Sequence, residues 1–253
     1  MRLTHHLAQR TTRLAALSLL VLALAGCQSI AGTQSVTQVR FIHASPDAPA
    51  IDLYQNPTPA SPQNSQASLY NVGFGTVSSY MMLAPGAYTH AAYTAGTQQQ
   101  LATVHGAFSA GGQYTVLAAN IAANLQMTIL KDQATPAPAG QVALRFLGES
   151  TRTGAVDLYL VPPDASLSGQ TPIATGLGLG ANTGYLNVPG GTYSIVALPA
   201  RSAPSTAGTP IFTGSQTLYP AGSVRTILLI DQPALATPGL QLITADDFDP
   251  PAS

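Results

Sequence analysis

One stretch of the chain is written twice. Residues 39–54 read VRFIHASPDAPAIDLY and residues 144–159 read LRFLGESTRTGAVDLY, aligned without a gap at an offset of 105. Arg, Phe, Ala, Asp, Leu and Tyr return in place, while Val/Leu, Ile/Leu and Ile/Val exchange conservatively. A repeat this long means two copies of one domain within 253 residues, not one large fold. Val39, Phe41, Ile51 and Leu53 alternate with other side chains, the period-two pattern of half-buried strands. The hexapeptide 44–49 (ASPDAP) between them is turn chemistry.

The rest of the chain follows the same grammar. Only 8% of residues are charged, against 23 Gly and 20 Pro, which suits short strands and many turns; long surface helices need more Lys and Glu. Gly73-Phe-Gly75 with Tyr80 is matched by Gly178-Leu-Gly180 with Tyr185, and the Pro85-Gly86 turn by Pro189-Gly190. No segment sustains a 3.6-residue apolar period, so hardly any helix is expected. The expected fold is all-β: two tandem immunoglobulin-like or transthyretin-like antiparallel β-sandwich domains, of about eight short strands each.

The first 26 residues read as a targeting segment. Arg2, Arg10 and Arg13 precede an apolar run over 14–25 that is too short for a permanent membrane span. The run ends in Leu24-Ala25-Gly26-Cys27, which resembles the lipobox of bacterial lipoproteins, and Cys27 is the chain's one cysteine. The resemblance implies cleavage before Cys27 and lipidation of its sulfur; several acyl chains give stable anchoring. Gln28, where an inner-membrane lipoprotein carries Asp, points to the outer membrane of a bacterial cell envelope. The expected organisation is a lipoprotein signal peptide (1–26), tether (27–38), first domain (39–133), Pro/Ala linker (134–141), second domain (142–248) and tail (249–253). The linker offers no apolar run to pack, so the two domains are expected to unfold as separable units.

HASPDAPAIDLY, followed by GFGTVSSY, PGAY and GGQYTVLA, resembles the bacterial domain of unknown function 4397. The resemblance covers residues 39–132. It extends more weakly to 142–247, where the strand and turn markers persist but the HASPDAP loop is lost. It implies secreted or surface-anchored β domains, often in tandem, with no assigned activity and no catalytic residues to carry over.

Candidate chemistry is sparse. His43, Ser45, Asp47 and Asp52 crowd one loop and raise a Ser/His/Asp reading, but a triad needs a nucleophile–base hydrogen bond and an oxyanion hole. Turn scaffolding accounts for the same residues, and the second copy has Gly148, Ser150 and Arg152 opposite His43, Ser45 and Asp47. His90 and His105 flank a hairpin turn and are weak metal candidates, since two ligands do not make a site. Tyr54, Tyr70, Tyr80, Tyr88, Tyr93 and Tyr114 suggest a stacking or protein-binding face. With Arg2, Arg10 and Arg13 in the leader, six bases stand against ten acids in the remainder, so no basic stripe for nucleic acid is present.

The favoured reading is a non-enzymatic cell-envelope lipoprotein acting as an adhesion, scaffold or ligand-presenting module. It would need no cofactor, would meet the membrane through Cys27, and would find a protein or carbohydrate partner at the envelope. The alternative is an envelope hydrolase or metal-binding protein centred on the His43–Asp52 loop. One geometric expectation concerns the repeat itself. If its two strands pair as antiparallel neighbours, Arg40 lies opposite Asp52 and Arg145 opposite Asp157, giving each copy a cross-strand ion pair.

Overall fold

The computed structural model describes residues 36–58, 66–204, 209–232 and 239–248. The signal segment, Cys27, most of the tether and the tail lie outside the described residues. Within them the chain is all-β, with a single 3-10 turn at Ala122–Asn124.

The first copy is built from β1 (Thr37–His43), β2 (Ile51–Pro57), β3 (Leu69–Val72), β4 (Met81–Leu83), β5 (Gly86–Thr94), β6 (Gln100–Phe108), β7 (Gln113–Ala119) and β8 (Gln126–Asp132). These form two four-stranded sheets, ordered β4-β1-β7-β8 and β3-β2-β5-β6. The second copy comprises β9 (Gln141–Gly148), β10 (Val156–Val161), β11 (Ala174–Leu177), β12 (Ala181–Pro189), β13 (Gly191–Pro199), β14 (Phe212–Thr213), β15 (Thr217–Tyr219), β16 (Val224–Asp231) and β17 (Leu240–Phe248). It repeats the plan with sheets β12-β9-β16-β17 and β11-β10-β13-β14, where β14 and the β13-paired β15 replace the long β6. All pairings are antiparallel except β1 with β7 and β9 with β16.

Each sandwich closes on its inward-facing residues. Val39 and Phe41 from β1 meet Ile51 and Leu53 from β2, with Ala92, Phe108 and Val116, all buried. Leu144, Phe146, Val156, Leu158, Ala197 and Ile227 do the same in the second copy. A fully buried Leu, Ile or Phe contributes about 1.5–3 kcal/mol, so these clusters dominate the stability of each sandwich.

The expected pairing of the repeat's two strands is overturned. β1 pairs with β4 and β7, while β2 pairs with β3 and β5, so they lie in opposite sheets and face one another across the core. β9 and β10 are separated in the same way. The alternation did place Val39, Phe41, Ile51 and Leu53 in one core, but facing sheets satisfy that pattern as well as adjacent strands do. Arg40 therefore never meets Asp52, nor Arg145 Asp157.

Nor do the copies meet only through a linker. Residues 35–253 form one compact unit. Ile42, Ala44, Leu117 and Ala119 from the first copy share a buried cluster with Leu147, Leu228, Ile230 and Ala245 from the second. These side chains point away from their own sandwich cores, so β1, β7, β9 and β16 are buried on both faces. The runs Val116–Ala119 and Ile227–Ile230, apolar at every position, record that double burial.

Candidate functional site

The repeated arginines lie in the joint between the copies. Arg40 on β1 reaches the far end of the chain: its Nη2 donates to Asp247 Oδ1 on β17 and its Nη1 to the Asp246 carbonyl at 2.9 Å. Arg145 on β9 makes the reciprocal contacts, Nη2 to Asp132 Oδ1 at 2.6 Å and Nη1 to the Lys131 carbonyl at 3.0 Å. Arg40 Nε donates to Thr115 Oγ1, whose hydroxyl donates to Asp132; Arg145 Nε donates to Thr226 Oγ1, whose hydroxyl donates to Asp247. Tyr80 and Tyr185 give their hydroxyls to Asp132 and Asp247 and their ring faces to Arg40 and Arg145, 4.8 and 4.7 Å from the ring centroids.

The four charged side chains are essentially inaccessible. Burial works against the charge on Arg40, but Asp247 and Asp132 outweigh it and hold the guanidinium protonated. Burial also drives both tyrosine hydroxyls well up, so they remain donors. Each guanidinium donates three hydrogen bonds and each carboxylate accepts three, the kind of compensation that a buried charge cluster needs. Sequence reading found Arg40 and Arg145 but gave them the wrong partners. The signal for the true ones was an Asp near the end of the last strand of each copy.

Asp52 and Asp157 have a different task. Asp52 accepts the Asn71 and Gly96 amides at 2.7 and 2.8 Å, and Asp157 accepts those of Gly176 and Arg201 at 2.8 Å each. All four donors sit at positive φ, between 51° and 70°. The repeated Asp thus pins two left-handed turns in each copy, at positions that share the 105-residue offset.

The remaining candidates do not converge. His43 is buried; its Nε2 lies 3.2 Å from the Pro49 carbonyl and its Nδ1 accepts the Ser45 amide at 3.3 Å, a pattern that fits the Nε2-protonated tautomer. Burial lowers its pKa. The Ser45 hydroxyl is buried without a hydrogen-bond partner among the described residues, so it is not paired with His43. Asp47 accepts the Ala122 amide at 2.8 Å and so clips the loop to the 3-10 turn. His90 stands opposite Val104 and His105 opposite Thr89, which sends the two rings to opposite faces of the sheet. They cannot share a metal ion, and among the described residues no cluster of three His, Cys, Asp or Glu has metal-binding geometry. The tyrosines are dispersed: Tyr80 serves the joint, Tyr88 and Tyr114 pack on Phe108, Tyr54 packs on Tyr93, and Tyr70 is exposed.

Loops from both copies meet at one end. Pro46, Asp47 and Ile121 from the first face Thr151, Arg152 and Gln232 from the second across a cleft of about 230 Å³. On the second side, buried Asp231 holds the loop by accepting from Thr151 N and Oγ1 and from Arg152 N. Arg152 is tied back to the Gln232 carbonyl.

The family model described as "Domain of unknown function (DUF4397)" matches residues 37–159, the first sandwich and the first two strands of the second. No curated protein matches the chain. Among solved structures, the CBM26 module CBMbc of Eubacterium rectale Amy13K, in complex with maltoheptaose, is 12% identical at a TM-score of 0.24, covering 85% of this chain and 98% of that one. A candidate cell adhesion protein from Bacteroides eggerthii is 9% identical at a TM-score of 0.24, covering 85% and 96%. One from Bacteroides fragilis is 9% identical at 0.20, covering 85% and 99%. Similarity at this level identifies neither a detailed fold nor a function.

Proposed function

Residues 37–159 belong to the DUF4397 family, and from that premise we propose that the chain is a non-enzymatic envelope lipoprotein. It is held to the outer membrane through Cys27 and acts as an adhesion, scaffold or ligand-presenting module. One observation carries the reading: the joint between the copies brings two equivalent loops, 44–50 and 149–155, to the same end of one body, where they border a shared cleft. Loops fixed by a rigid β scaffold are the usual recognition surface of such folds. The hydrolase alternative loses its support because His43, Ser45, Asp47 and Asp52 are each committed to local loop geometry or separated from one another.

Two measurements test it. A Cys27→Ala chain should move from the membrane to the soluble fraction; persistence on membranes contradicts the anchor. That soluble chain, immobilised and exposed to solubilised envelopes, should retain a partner. An Asp47→Lys/Arg152→Glu variant should retain at least tenfold less, and equal retention by the two would refute recognition at this end.

A further inference from the structure

The joint is symmetric in its charges but not in its packing. On one side the joint is apolar: Phe74, Val77, Ile42 and Ala44 of the first copy belong to one cluster with Ile230 and Ile243 of the second. A Cβ placed at Gly75 would already sit 3.8 Å from Ile243 Cδ1. The repeat offset and the strand registers name the counterparts on the other side. Leu179 replaces Phe74, Asn182 replaces Val77, Glu149 replaces Ala44, Ala119 replaces Ile230 and Thr128 replaces Ile243. Smaller and polar side chains leave a cavity of about 280 Å³ between β7 and β8 of the first copy and β9, β12 and the 178–180 turn of the second.

Glu149 lines that cavity. Its residue is 7% exposed, and among the described residues no hydrogen bond or ion pair holds its carboxyl. Leu117, Leu130, Leu147 and Leu179 supply an aliphatic wall. Among the described residues no aromatic ring lines the cavity, so none there would stack on a sugar ring, and no second titratable side chain lines it with Glu149 from β7, β8, β9, β12 or the turn. A nearly buried, unpaired acid with an aliphatic wall is complementary to a cation with an apolar body.

We propose that this cavity binds a small organic cation, a primary aliphatic ammonium whose charge pairs with the Glu149 carboxylate and whose alkyl body lies along the leucines. The site is separate from the loop cleft and independent of the envelope reading. Burial raises the Glu149 pKa to about 7. A proton therefore competes with the amine, and affinity should fall about tenfold per pH unit once below that value.

The test uses the full chain with Cys27→Ala and straight-chain primary amines of about two to six carbons, followed by calorimetric titration at pH ~8 and ~5.5. At least one amine should bind saturably at the higher pH and at least tenfold more weakly at the lower one. Glu149→Gln should abolish that binding. Thr128→Ile/Asn182→Val, which copies the apolar side of the joint, should also block the amine while Glu149 remains and the chain stays folded by circular dichroism. The proposal is overturned if no amine binds at pH ~8, if Glu149→Gln binds as well as the parent, or if 1-butanol or glucose binds there as tightly as the amines.

Discussion

Arg40 and Asp247 lie 207 positions apart and meet in a buried ion pair that ties the first strand of one copy to the last strand of the other. Arg145 and Asp132 repeat the contact in reverse. The arginine that recurs in the internal repeat is thus the residue that fastens its two copies together. Loss of Arg40 leaves Asp247 buried without its main counter-charge. Arg40→Met should therefore cost about 3–5 kcal/mol in urea unfolding. Arg40→Met/Asp247→Leu should recover much of it, because the desolvated charge goes with its partner. A double variant no better than the single one would deny the coupling.

The fold class was legible in the turn-rich composition, and the two cores in the alternation of Val39, Phe41, Ile51 and Leu53 and its repeat in the second copy. Strand partners were not: Val39, Phe41, Ile51 and Leu53 satisfy the same pattern whether β1 and β2 are neighbours or face each other. Arg40 was recognisable as important, but its partner lay outside the repeated stretch, where no local spacing connects it. The joint itself left a trace in Val116–Ala119 and Ile227–Ile230, whose second apolar face needs something to cover it. Glu149 was invisible as a special residue, since only the packed joint shows that Ala44, its counterpart, lies in the apolar half.

Asp52 joins two left-handed turns through two charge-assisted hydrogen bonds. Asp52→Ala should destabilise the chain by about 2–4 kcal/mol, and Asp52→Asn by less, since one acceptor oxygen survives. Chemical denaturation of both variants measures this; an Ala variant within about 0.5 kcal/mol of the parent would remove the role assigned to Asp52.

His90 is fully buried, and neither ring nitrogen has a hydrogen-bond partner among the described residues. Burial lowers its pKa to about 4. The unfolded chain takes up a proton near pH 6.5 that the folded chain refuses, so the contribution is full above that pH and is lost as pH falls toward 4, by roughly 3 kcal/mol in all. His90→Met should therefore gain on the parent progressively between pH ~6.5 and ~4. A difference in stability that does not change with pH would exclude His90 as an acid-sensitive element.

Glu149 has the opposite sign. Its raised pKa, about 7, makes its contribution full below roughly pH 4.5 and lost as pH rises through 7. Without ligand, Glu149→Gln should raise the melting temperature at pH ~8 and have little effect at pH ~4.5. Equal effects at the two values would mean that the carboxyl is not desolvated as the cavity implies.

Whether the two copies form one body is decided most directly by calorimetry on residues 36–253. One transition is expected, with calorimetric and van't Hoff enthalpies equal, and Leu158→Ala in the second core should lower that whole transition without splitting it. Two resolved transitions, only one of them moved by Leu158→Ala, would contradict the joint built on Arg40, Asp247, Arg145 and Asp132.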